Sequence, residues 1–282
     1  APDDGFYQDS GRAGPSELPP AELGSLAELV KVVTECSPFA REKVANLVLK
    51  KGYLRQLLDL FKTCEDLDDR ESLHMMYTLV RGLVLLNDAN LFDELLRDEN
   101  VFDVVGALEY DPEYSEPEKA EGEGDGVAGE REDDGAQQKV QHRTFLKDSV
   151  VFKEVVPIQD PAIRAKIHQT YRIGYLKDVI LPRVLDDATF GTLTSIMLFN
   201  NVEVVLALQQ DPAFLKELFT RLQKTPRADP GWDDLVGFLQ ELCSLAKHLQ
   251  VQQRGSLFAS LIQHGLFYVL TDVLKTESET SQ

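Results

Sequence analysis

Apolar positions recur at helical spacing along most of this chain. Leu73, Met76, Tyr77, Val80, Leu83 and Val84 follow an i, i+3, i+4, i+7 rhythm. Leu26, Leu29, Val30 and Val33 repeat it, as do Leu235, Leu239, Leu242, Ala246 and Leu249. Ser37–Pro38 reads as an N-cap followed by proline at the first helical position, and Asp211–Pro212 does the same before Phe214. Gly52 and Gly265 stand where a preceding helix should end. Strand-like alternation is scarce. Only Val150 to Ile158 (VVFKEVVPI) lacks a helical pattern of its own.

The predicted helices themselves recur. A pair of apolar residues followed, after two intervening positions, by a third opens a helix at Tyr53-Leu54/Leu57, Val101-Phe102/Val105, Phe214-Leu215/Leu218 and Leu266-Phe267/Leu270. A short helix precedes each (38–50, 88–98, 201–210, 254–264), and another precedes that (22–35, 72–86, 188–199, 232–249). Three helices per unit of about 45 residues is the armadillo/HEAT arrangement. The expected fold is an all-α solenoid of about four such units, in which stacking buries apolar faces that no unit can bury alone.

Charge divides the chain further. It carries 29 Lys and Arg against 48 Asp and Glu, a net −19, so a general nucleic-acid-coating role is excluded by repulsion from phosphate. From Asp111 to Gly135 there are eleven acidic residues, two basic ones and five glycines. Such a stretch cannot bury enough surface to offset its ordering entropy and reads as a disordered loop. From Lys139 to Arg183 the sign reverses, with nine Lys and Arg against four Asp and Glu. The expected division is a tail over 1–21, armadillo-like units over 22–110, an acidic disordered loop over 111–138, a basic segment and helix inserted in the solenoid over 139–187, further units over 188–276 and a tail over 277–282. No apolar run approaches the roughly 20 residues of a membrane span. Three cysteines, Cys36, Cys64 and Cys243, are too few for a disulfide framework and suit a reducing compartment. The chain opens at Ala1 without a signal peptide and is expected to be a piece of something longer.

Catalytic and cofactor chemistry finds no local support. The five histidines are never closer than 16 residues, and CxxC, HxxxH and HExxH are all absent. Gly124, Gly126 and Gly129 form a GxGxxG string, but no strand precedes it. Glu121, Glu123, Asp125, Glu130, Glu132 and Asp133 would repel a pyrophosphate there. No metal and no cofactor is expected.

The basic stretch carries the candidate site. Arg164, Lys166, His168, Tyr171, Arg172, Tyr175 and Lys177 fall on a helix predicted over 161–180. Arg164, His168, Tyr171 and Tyr175 share one face, while Ile167, Ile173, Leu176 and Ile180 supply core contacts. A face of Arg, His and Tyr suits an acidic or phosphorylated peptide. The competing reading pairs these charges with acidic neighbours and places the tyrosines in the core. Asn87, Asn200 and Asn201 have two readings as well: helix caps, or groove amides that clamp an extended peptide backbone.

Several strings also resemble a known family: Asn87 with Leu91-Phe92, DVVGALEYDP over 103–112, FKEVVPI over 152–158, KIHQTYR over 166–172, and Phe199-Asn200 with Val202-Glu203. They are similar to the SMEK domain of the protein phosphatase 4 regulatory subunit 3 family, and the likeness runs from about residue 25 to 275. The resemblance implies a non-catalytic armadillo-like scaffold in the nucleus and cytoplasm, connected with the DNA damage response. Its implied partners are the phosphatase catalytic subunit, a companion regulatory subunit, and substrate or adaptor peptides, with no direct nucleic acid and no membrane. The alternative is an armadillo-type adaptor for another complex, such as transport, with no phosphatase link.

The acidic stretch is tethered beside the basic one and has two readings: a merely tolerated surface insertion, or a segment that occupies the basic surface and competes there with an acidic partner. On the second reading, deleting residues 115–137 should give tighter and more salt-sensitive partner binding. An unchanged affinity and salt slope in titrations would remove the idea.

Overall fold

The computed structural model describes residues 14–50, 52–114 and 141–279, without the side chains of Tyr114 and of residues 274–279. From residue 115 on, the stretch predicted as an acidic disordered loop lies outside the described residues. The described residues form thirteen α-helices and no strand. The helices are α1 (Leu26–Thr34), α2 (Arg41–Val48), α3 (Tyr53–Asp66), α4 (Arg70–Leu85), α5 (Ala89–Leu95), α6 (Val101–Leu108), α7 (His142–Thr144), α8 (Pro161–Tyr175), α9 (Asp187–Gln210), α10 (Pro212–Lys224), α11 (Pro230–Leu245), α12 (Val251–His264) and α13 (Leu266–Glu279). They fall into two compact units, Ala1–Val150 with Ile180–Thr189, and Val151–Val179 with Phe190–Gln282.

Carboxylates start many of these helices. Asp160, Asp211 and Asp229 each precede a proline at the first helical position, and each accepts a backbone N–H of the first turn, from Ala162, Ala213 and Gly231. Asp69 and Asp88 cap α4 and α5 in the same way without proline. The Ser72 hydroxyl and amide bonded to Asp69 hold its carboxyl below the ordinary value. This cap therefore stabilises above the ordinary carboxylate pKa, and its contribution is lost as pH falls through the lowered one.

In the first unit, two triplets of helices stack position on position. Helix α1 packs on α4, α2 on α5, and α3 on α6. The repeat read from the sequence is thus realised as like-on-like contact. Helix α4 is central, with Leu73, Met76, Leu79, Val80, Leu83 and Val84 all buried. Gly82 permits the approach of α1. A Cβ there would stand 2.9 Å from Val33 Cγ1 and 3.2 Å from Thr34 Cγ2, and both are stiff β-branched side chains.

In the second unit, α10 packs on α11, α12 and α13, and α12 packs on α13. Phe214, Leu218 and Phe219 of α10 share a core with Leu239, Leu257 and Leu261, and Val156, Ile158 and Ile163 join the same core from the segment entering α8. The all-α, armadillo/HEAT-like reading holds within each unit. The stretch 150–158 forms no strand and no helix, apart from a bend at Val155–Val156.

Three local expectations are corrected. The helices predicted at 188–199 and 201–210 are one continuous helix, α9. No glycine or proline interrupts it near the expected joint, and Asn200 spends its amide sideways on Gln169 instead of capping. Ser37–Pro38 forms a turn closed by Ala40 N–H on Ser37 C=O at 2.8 Å, and α2 starts only at Arg41. The expectation of no span-length apolar segment also fails by composition, since α9 has 24 residues and reaches a mean hydropathy of 1.4. Its Val204, Val205 and Leu208 pack in the core of the second unit.

Arg143 anchors the segment that follows residue 140. Its guanidinium grips Glu65 bidentately, at 3.0 and 2.6 Å, while its own backbone N–H donates to Glu109 at 2.6 Å. Gly106 leaves room for the guanidinium, because a Cβ there would lie 2.9 Å from Arg143 Cζ. The hydrogen bonds to Glu65 raise the Arg143 pKa further, so the charge is permanent. A fully buried pair that loses one partner costs about 3–5 kcal/mol. This one is partly exposed, so Arg143→Ala should cost about 2 kcal/mol, read as a lower urea midpoint with an unchanged slope. A loss below about 0.5 kcal/mol would show that solvent screens the cluster.

Candidate partner-binding surface

Helix α8 carries the candidate residues and continues into a π-helical turn over Leu176–Ile180. Ile163, Ile173 and Leu176 are buried, and Ile167 packs against the core of the second unit. That inner stripe fixes which way the polar residues turn. Arg164 and Tyr171 are exposed, while Lys166, His168, Arg172 and Tyr175 are half-buried. The Tyr171 and Tyr175 rings stack with centroids 6.4 Å apart. His168 meets Phe152 edge-on at 4.6 Å, and its Nε2 is buried with no hydrogen-bond partner.

Lys177, one of the candidate binding residues, is largely buried. Only 9% of it is exposed, its Nζ sits 4.3 Å over the Phe190 ring, and it pairs with Asp178. Its ammonium thus has an aromatic face and a carboxylate already in place.

Two links join α8 to α9. Lys166 pairs with Glu203, and Asn200 Nδ2 donates to Gln169 Oε1 at 2.7 Å. The partner numbers run in opposite directions, so the two helices are antiparallel here. Asn200 is only 4% exposed and acts as an interhelical tie. Asn201 is half-buried in the middle of α9. Asn87 follows α4 with φ of 60°, the left-handed conformation that asparagine tolerates after a helix end. Its Oδ1 is buried and unpartnered, and the N-cap duty for α5 falls to Asp88.

Part of the basic stretch is paired with carboxylates elsewhere in the chain, and Arg164 only loosely so. Lys153 pairs with Asp234 at 3.2 Å, Arg164 reaches Glu154 at 4.0 Å, and Arg143 is held by Glu65. What remains outward on this side is mixed: Arg164, Tyr171 and Phe152 beside an uncharged run on α9. That run, from Ala188 to Val202, exposes Phe190, Leu198 and, at 69%, Phe199. Sequence reading singled out none of these three phenylalanines or Leu198 as surface residues. For Phe190, Leu198 and Phe199 the signal was the charge-free run itself, unusual in a chain this acidic.

A second concave feature lies in the first unit. Val33, Thr34, Cys36, Arg41, Thr78, Arg81, Gly82, Leu85 and Leu86 line a cavity of about 320 Å³ between α1, the turn after it, and α4. Burial pushes the Cys36 thiol up, and the Arg41 guanidinium partly opposes that rise. No sequence pattern marked this site, because Arg41 and Arg81 meet only through the packing of α1 on α4.

If Lys166–Glu203 is chiefly an interhelical tie, Lys166→Glu alone should destabilise by up to about 1 kcal/mol. The swap Lys166→Glu/Glu203→Lys should then restore most of that loss. Equal stability of the single and the swapped proteins in denaturant titrations would show that the pair contributes nothing.

Comparison with known proteins places this architecture. A family model described as Phosphatase 4 regulatory subunit 3 matches residues 25–121 and 126–282. The chain is 36% identical over 273 residues to "Serine/threonine-protein phosphatase 4 regulatory subunit 3" of Drosophila melanogaster, covering 95% of this chain and 26% of that protein. It is also 36% identical over 264 residues to "Suppressor of Mek1" of Dictyostelium discoideum, covering 93% of this chain and 23% of that protein. The chain thus spans about a quarter of the length of these curated relatives. No solved structure matches it significantly. With a model of that family matched along most of its length, the chain belongs to the phosphatase 4 regulatory subunit 3 family.

Proposed function

We propose that this chain is a non-catalytic scaffold segment of protein phosphatase 4 complexes, holding partner segments on helical-repeat surfaces. The observation that carries the reading is the family match over most of a chain whose helix triplets in the first unit stack like on like. A regulatory subunit of this kind accelerates dephosphorylation by raising the effective concentration of substrate near a separate catalytic subunit. Its partners in this reading are the phosphatase catalytic subunit, a companion regulatory subunit, and acidic or phosphorylated substrate or adaptor segments. The family description and the name of the fly relative both support the phosphatase link. Residence in nucleus and cytoplasm belongs to the same proposal and rests on the resemblance alone.

The α8 side of the second unit is the surface assigned to partner segments. Arg164 and Tyr171 are outward there, and Lys166 and Arg172 are half-buried at its edge. A peptide carboxylate competing with Glu203 for Lys166 would exchange one solvent-exposed pair for another, at small net cost. Affinity would then come from the exposed aromatic residues, with charge setting register and encounter rate.

The test is a pull-down of purified phosphatase 4 catalytic subunit and companion regulatory subunit by the tagged chain. Recovery by the wild-type chain is expected, with a loss of about ten-fold or more for Lys166→Glu/Arg172→Glu. Recovery that ignores the double reversal would move the contact away from α8. Absence of both phosphatase subunits, with transport factors retained from extract, would select the adaptor reading instead.

A further inference from the structure

The cavity of the first unit has a chemistry distinct from the α8 surface. Val33, Gly82, Leu85 and Leu86 make an apolar floor, and Arg41 and Arg81 line the same 320 Å³ space. The Thr34 and Thr78 hydroxyls donate to the carbonyls of Val30 and His74 in their own helices, leaving oxygen lone pairs and methyl groups toward the cavity wall. Gly82 helps to shape the floor: its missing Cβ is what lets α1 lie against α4 at this point.

Neither guanidinium is held firmly among the described residues. Among the described residues, Arg81 has no carboxylate within ion-pair distance. Arg41 reaches Asp186 only at 3.9 Å, between side chains that are both well exposed, so solvent screens that contact. Asp186 is also engaged elsewhere: it accepts the Thr189 N–H at 2.7 Å, and the Thr189 hydrogen bonds lower its pKa. By contrast, the cavity of the second unit lined by Lys153 and Arg221 is closed by its own bonds. There Lys153 pairs with Asp234, while Arg221 pairs with Glu217 and donates to the Val155 carbonyl.

We propose that the Arg41–Arg81 cavity binds a segment of an acidic partner protein, with one apolar side chain on the floor and flanking carboxylates on the two guanidiniums. The volume is at the small end of the roughly 300–1,000 Å³ typical of ligand sites. It suits a single side chain with its neighbours better than an extended cofactor. Planar guanidinium forks match carboxylate geometry, and the apolar floor supplies the selectivity that charge alone lacks. On a chain of net −19, an acidic segment meets general repulsion, so two loosely engaged arginines at one concave place make that place distinctive. This inference does not depend on the phosphatase link.

Cys36 provides the readout. Its thiol lines the cavity and is half-buried, Cys243 is half-buried in the second unit, and Cys64 is buried. The probes are acetylated pentapeptides with leucine or phenylalanine between two pairs of glutamates. Control peptides carry glutamine for glutamate, or serine for the apolar residue. Iodoacetamide modification of the intact chain is followed site by site by mass spectrometry, and affinity is read by fluorescence anisotropy of labelled peptide. A glutamate peptide with an apolar centre should slow Cys36 alkylation several-fold and leave Cys243 unchanged. Arg81→Gln and Arg41→Gln should each weaken binding about ten-fold, while Arg97→Gln, at an exposed pair with Glu94, should not. Arg81→Lys should keep part of the affinity, which separates charge from a folding defect. No binding by either glutamate peptide, equal binding of the glutamine or serine controls, or equal loss with Arg97→Gln would overturn the proposal.

Discussion

Like-on-like stacking of helix triplets is the constraint on which the first unit depends. An amphipathic helix of eight to sixteen residues is marginal alone, and its stability comes from the face it buries. Helix α4 is buried on several sides because α1, α3, α5 and α6 all lean on it. The stacking also sets steric demands at single positions. Gly82 must remain small for α1 to close, and Gly106 must remain small for Arg143 to lie across α6. Core leucines such as Leu29 and Leu83 tolerate shape change only at the cost of a cavity, about 2–5 kcal/mol for truncation to alanine.

Charge acts at a second level, and mostly locally. The chain is strongly acidic, yet its carboxylates include the residues that start helices and tie segments together. Asp69, Asp88, Asp160, Asp211 and Asp229 supply acceptors to first-turn amides, where the helix dipole favours negative charge. Glu65, Glu109 and Asp234 absorb basic groups of the segment after residue 140. Net repulsion is therefore offset where backbone amides and arginines stand close to carboxylates, and salt will weaken the exposed pairs first.

Helix existence and type were legible because they rest on local chemistry. The openings at Tyr53, Val101, Phe214 and Leu266 all fall at or within two residues of a helix start. The Asp–Pro start at 211 was equally plain, and the same signature at 160 and 229 does the same work. The break expected at Asn200 was not legible, since asparagine serves a cap and an interhelical amide bond equally well. Only the position of Gln169, 31 residues away, decides between them. The basic stretch was visible as composition, but its pairing was not. The partners of Arg143 and Lys153 lie 78 and 81 residues distant. The same holds for Lys177, whose aromatic partner Phe190 belongs to a different helix.

These non-local pairings bear on how the surfaces can work. A cation already matched to a carboxylate offers an incoming peptide an exchange, which sets register more than it adds affinity. A cation whose nearest carboxylate is distant and solvent-exposed offers a net gain. Lys166 is of the first kind and Arg81 of the second, while Arg164 and Arg41 reach a carboxylate only at 4.0 and 3.9 Å across partly exposed side chains and stand near the second. Aromatic exposure distributes the other way: Tyr171, Phe152 and Phe199 stand on α8, on the segment before it and on α9, whereas the arginine-lined cavity has no aromatic side chain among its lining residues. On the two proposed readings, recognition on the second unit would be governed by ring contacts with charge as a guide, and recognition in the cavity by charge with shape as a filter. Two such surfaces with different selectivities would let one scaffold hold two segments at once, each weakly, with the joint affinity set by the distance between the segments in the partner.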